Sequence, residues 1–129
     1  VLAIDTNILV RFLVGDDVDQ AAKARALFRE SRIFIPTTVL LETDWVLRSL
    51  YGLKAPEIRS AITAVAGLEN VVLESPAAVA QALAGVSAGL DFADALHLAA
   101  ASACDAFVTF DRRLKSAAPK SDGPSVRLL

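Results

Sequence analysis

Four short runs of apolar and β-branched residues govern what this chain can fold into: Val1–Ile4, Ile33–Ile35, Val71–Leu73 and Ala106–Thr109. Each is too short for a helix, and the stretches between them are long enough to hold one or more. Strands alternating with helical segments of ten or more residues imply right-handed crossovers. The expected fold is α/β, a three-layer sandwich with a central, mostly parallel sheet of four or five strands and helices on both faces. Val1–Ile4 shows no polar alternation, so it is expected to be a strand buried on both faces.

Local signals place the helices. Ile8–Val14 reads as a short buried helix stopped by Gly15. Asp17 can cap a helix from about Val18 to Glu30. Thr37 and Thr38 are N-cap candidates for a mostly apolar helix reaching about Tyr51, with Gly52 as its stop. Pro56 suits the first turn of the next helix, which ends near Gly67, and Ser75-Pro76 opens an alanine-rich helix lasting to about Ala88. Asp91–Ala103 is the last expected helix. Residues 116–125, rich in Ser, Pro, Lys and Gly, read as loop, and Val126–Leu128 as an edge strand. A single domain spanning residues 1–129 follows, with no internal repeat.

With 129 residues, 54% of them hydrophobic, the chain can bury a core and is not expected to be disordered. Its 24 alanines let helices approach closely. A net charge of −2 argues against a general nucleic-acid binder and would confine any such contact to a local basic patch. The lone Cys104 excludes an internal disulfide or a Cys-based zinc site, and a reducing cytoplasm fits best. Asp5 and Arg11 interrupt Val1–Val14, so that stretch does not read as a signal peptide, and no membrane segment is expected.

The chemistry is in the acids. Asp5 follows the first run directly and Asp111 comes just beyond the fourth, while Glu42 and Asp94 fall early in helices. Strand ends and the starts of the helices that follow share one edge of a parallel sheet, where such folds bind ligands. The four carboxylates are therefore expected to share a pocket. Clustered carboxylates repel, and a hard cation removes the conflict. Oxygen-only ligands favour one or two Mg2+ or Mn2+ ions over zinc. Such ions acidify a water and polarise phosphoryl oxygens, which fits phosphodiester hydrolysis.

The motifs Asp5-Thr6-Asn7, Glu42, Asp91-Phe92-Ala93-Asp94-Ala95-Leu96-His97 and Thr109-Phe110-Asp111-Arg112-Arg113-Leu114 resemble, in order and spacing, those of PIN-domain ribonucleases, and most of all the VapC-type toxins of toxin-antitoxin pairs. The resemblance covers nearly the whole chain. It implies a metal-dependent endoribonuclease, active as a homodimer and restrained by a small antitoxin protein. Asp5, Glu42, Asp94 and Asp111 would then be the catalytic, metal-holding quartet, with Asn7 and Thr109 as secondary hydrogen-bonding residues and Asp91 a weaker participant. Arg112, Arg113 and Lys115 are candidates for holding RNA phosphates.

Plainer readings stand beside these. Asp5 could be a helix cap, Glu42 a first-turn acid favoured by the helix dipole, and Asp111 a turn residue. Asp91, Asp94 and His97 recur every three residues, as a solvated stripe would, with Asp91 as N-cap. Glu42's neighbours Leu40, Leu41 and Trp45 weigh against plain exposure, and Phe28, Trp45 and Leu47 suit either a core or a partner interface. Two other functions fit less well. One is a PIN-like RNA- or protein-binding module that has lost catalysis. The other is a phosphatase with an aspartyl nucleophile, which would want a second Asp where Asn7 stands.

Overall fold

The computed structural model describes residues 1–118 and 123–129, so the middle of the expected loop at 116–125 lies outside the described residues. The protein is an α/β protein with parallel strands and seven helices among those residues. It divides into two compact units, Val1–Pro76 and Ala77–Leu129.

The first unit runs β1 (Leu2–Ala3), α1 (Thr6–Val14), α2 (Val18–Glu30), β2 (Ile33–Ile35), α3 (Thr37–Ser49), α4 (Ala55–Ala66) and β3 (Val71–Leu73). Its strands lie in the order β1-β2-β3, with Leu2 opposite Ile33 and Ile33 opposite Val71. The central strand carries the core, and Ile33 and Ile35 are fully buried. β1 departs from expectation: it is two residues long and Leu2 is 48% exposed, so of that run only Ile4 is buried. An apolar run does not reveal whether its strand lies inside a sheet or at its margin, and among the described residues β1 pairs on one side, with β2.

Caps set the helix limits. Asp17 Oδ1 accepts from the Gln20 amide at 3.0 Å to start α2. Gly15 closes α1 with φ +73°, a left-handed conformation that side chains disfavour. The phenyl rings of Phe12 and Phe28 stack at 3.9 Å and bind α1 to α2. Asn70 donates from Nδ2 to the carbonyls of Phe28 and, at 2.8 Å, Ser31, which pins the end of α2 to the entry of β3.

In α3 the expected threonine cap is absent. Pro36 is the N-cap and has no side chain to offer, and the free amide of Thr37 is met instead by Glu74 Oε1 at 2.8 Å. The buried face of α3 is Leu40, Thr43, Asp44 and Leu47, a helical repeat of three and four that includes two polar residues. Asp44 is paired with Arg48 at 2.9 Å, one turn on. Trp45, one position off that face, is 56% exposed, whereas Phe28 and Leu47 belong to the core.

The second unit contains α5 (Pro76–Ser87, its first residue closing the first unit), α6 (Phe92–Ala100), β4 (Ala106–Thr109), α7 (Arg112–Ala117) and β5 (Ser125–Leu128). β4 and β5 pair in parallel along their whole length, from Ala106 opposite Ser125 to Thr109 opposite Leu128. α5 and α6 approach over Gly85, where a Cβ would lie 3.1 Å from both Ala95 Cβ and Leu90 Cδ1. α6 stops three residues short of the expected Ala103, in a turn where the Cys104 amide reaches the Ala101 carbonyl at 2.9 Å. α7 was not foreseen. At six residues it is too short for an apolar period, although Leu114 buries its side chain.

Candidate functional site

In the first unit, Asp5 leaves the carboxyl end of β1 and starts α1. Its Oδ1 accepts from the Ile8 amide at 3.1 Å, so the capping reading of Asp5 holds. Capping engages one oxygen and leaves the charge in place at a helix N-terminus. Glu42, in the second turn of α3, accepts a hydrogen bond at Oε1 from the Thr6 hydroxyl. Glu42 is exposed, contrary to expectation, because the buried face of α3 runs through Thr43 and Asp44. Asp5, Thr6, Asn7 and Glu42 line one cleft of about 470 Å3, with Val39 and Arg11 among its other walls.

Arg11 is not a bare cation. It bonds Asp16 Oδ1 at 2.9 Å, the Tyr51 hydroxyl at 3.1 Å and, through Nε, Gln20 Oε1 at 2.7 Å. Tyr51 in turn donates to Asp16 Oδ2 at 2.9 Å. That hydrogen bond, opposed by partial burial and aided by the Arg11 charge, holds the Asp16 carboxyl below the usual carboxylate range.

In the second unit, Asp111 caps α7, with Oδ1 accepting from the amides of Arg113 at 2.8 Å and Leu114 at 3.2 Å. Thr109 fixes this turn by accepting from the Asp111 amide at 3.0 Å. It therefore orients the Asp111 backbone. Asp91 stands at the N-cap position of α6 but makes no capping hydrogen bond. Asp94, one turn in, is half-buried. Burial first, then the charges of Asp91 and Asp111, push its carboxyl above the usual carboxylate range, and His97 draws it part of the way back. The charges of Asp91 and Asp111 thus reach Asp94. His97 is exposed.

Of the proposed phosphate contacts, Lys115 donates to the Val126 carbonyl at 3.1 Å and so ties α7 to β5, while Arg112 and Arg113 are exposed. Sequence reasoning missed the partner of Glu42, Thr6, and the acid Glu74. Glu74 was within reach of the rule applied to Asp5, since it too directly follows an apolar strand. Its carboxylate serves the Thr37 amide.

The fold and site define the class: an α/β protein of parallel strands with acids at strand ends and helix starts. The chain belongs to the PIN-domain family, whose model, described as PIN domain, matches residues 2–120. Members of that family are typically metal-dependent nucleases. No curated protein and no solved structure matches the chain.

Among the described residues, no three of His, Cys, Asp and Glu are grouped to hold a metal ion as they stand. The donors fit a hard divalent cation by their chemistry. They are oxygen-only, and the charges of Asp91 and Asp111 add to burial in raising the Asp94 carboxyl. Magnesium needs only one or two carboxylates, with waters and substrate phosphate completing its shell.

Proposed function

We propose that the protein is a metal-dependent endoribonuclease in which Asp5, Glu42, Asp94 and Asp111 hold one or two Mg2+ or Mn2+ ions. What carries the reading is the placement of acids beyond β1 and β4, separated from each strand by one residue and each starting the helix that follows, in a chain whose family match runs over residues 2–120. A divalent cation supplies an acidified water and a counter-charge for the phosphoryl oxygens. The chain's own residues prepare for it. Thr6 holds Glu42 in one orientation, Thr109 fixes the Asp111 turn, and Asp91 adds negative charge near Asp94 that a bound cation would offset.

The motif likeness extends the proposal to a VapC-type toxin acting on RNA as a homodimer and restrained by an antitoxin. The experiment is cleavage of short single-stranded RNA with and without Mg2+ or Mn2+. Wild type is expected to cut only with the metal, and Asp94→Asn and Asp5→Asn to lose at least a hundredfold in rate, on the order of one lost electrostatic contact to the transition state. Cleavage persisting in either variant removes the quartet from the mechanism. Growth arrest on expression, relieved by Asp94→Asn, tests the toxin role. A second reading, a binding module without catalysis, is favoured because no three of His, Cys, Asp and Glu among the described residues are grouped to hold a metal ion. The same assay separates the two, since such a module binds RNA or protein and leaves RNA whole.

A further inference from the structure

The sheet of the second unit exposes one face. Side chains alternate along β4, and Val108 on its open face is 45% exposed. Phe110 follows the strand and is 78% exposed. The Leu129 amide donates to the Thr109 carbonyl at 3.0 Å, which carries the strand pairing as far as this point. Arg127 is exposed and stands opposite Val108 in the register. Phe110 lies between two residues fixed by hydrogen bonds, because the Thr109 hydroxyl accepts from the Asp111 amide and Asp111 caps α7. The backbone that presents the ring is therefore held while the ring itself meets water.

Charge identifies the occupant. Residues 106–129 contain five Lys or Arg against two Asp, whereas residues 1–105 contain eight against thirteen Asp or Glu. A chain acidic elsewhere concentrates its positive charge on the segment that bears the exposed aromatic ring. Cations beside an open aromatic face suit a single-stranded polyanion whose bases stack, because every base offers a π-face and its phosphates meet the guanidinium groups. Duplex nucleic acid keeps its bases stacked within itself and leaves such a ring unused.

We propose that Phe110 is a stacking platform for an unpaired RNA base, flanked by Arg127 and Arg112 as phosphate contacts. The assignment rests on the nuclease reading only for its place beside the bond to be cut. The test is binding of a short, dye-labelled single-stranded RNA of mixed sequence to the full chain in EDTA, where no cleavage removes the ligand. Phe110→Ala is expected to bind roughly tenfold more weakly, Phe110→Tyr as wild type, and Phe110→Leu as the alanine variant. Far-UV melting of all three should match wild type, because the ring is exposed.

Equal binding by wild type and Phe110→Ala overturns the proposal, and so does rescue by leucine as good as by tyrosine. Failure of wild type to bind RNA also overturns it. Loss of a wild-type dimer in Phe110→Ala overturns it in favour of contact with a second copy. The two readings fail separately. Binding with the tyrosine and leucine pattern but no cleavage in Mg2+ sinks the nuclease and leaves the platform, while cleavage and binding unaffected by Phe110→Ala do the reverse.

Discussion

Asp94 is where the cost of assembling acids can be measured. Its carboxyl is raised by burial and by Asp91 and Asp111, so without metal the folded chain favours the protonated form more than the unfolded chain does. The resulting stabilisation is complete below the ordinary carboxylate value of 3.8 and is lost as pH rises through the raised one. In EDTA, Asp94→Asn should therefore melt above wild type at neutral pH, with the difference vanishing in acid. Mg2+ should raise the wild-type melting temperature and affect the variant less. A variant that melts below wild type at neutral pH would show that the ionised Asp94 carboxylate does not destabilise the fold. The sequence placed Asp94 early in an expected helix, and the position is half-buried. It misjudged Glu42, because the apolar neighbours Leu41 and Trp45 lie off the buried face, which is completed by Thr43 and Asp44. A polar pair buried on a helix carries no periodic signature.

At the level of elements, Asp5 has two tasks that substitution can separate. Asparagine offers the same oxygen to the Ile8 amide and alanine offers none. Asp5→Ala should cost about 1 kcal/mol in urea unfolding, Asp5→Asn only a few tenths, and both should abolish cleavage. Equal stability of the two variants would mean that the cap contributes nothing to α1. Most elements were legible because each has a stop or a start in one residue: Gly15, Asp17, Pro56 and Gly67 all lie where their helices begin or end. α3 shows the limit of local rules. Its cap comes from Glu74, on the far side of α4 and β3 in the chain, and a contact 37 residues away in sequence leaves no mark near Thr37. α7 was hidden for a different reason: its cap, Asp111, was visible, but six residues are too few to show which face is apolar.

For the whole molecule, the acidic total conceals a charge reversal along the chain. Single-stranded RNA binding should weaken with salt, log affinity falling by about 0.7 per phosphate neutralised for each decade of salt. Replacing Arg112 and Arg113 together by Gln should flatten that slope by about 1.4 if both meet phosphate, and an unchanged slope would remove them from the interface. Net charge alone could not have shown this, since −2 averages over both regions. None of the helices among the described residues is long and apolar enough to cross a membrane. The outward-facing indole of Trp45, the single tryptophan, bears on how all these variants are followed. Already hydrated in the native protein, it should emit at long wavelength before and after denaturation, so intrinsic fluorescence will be a poor thermometer of unfolding. A blue shift at constant temperature would instead announce that another molecule had come to rest on α3.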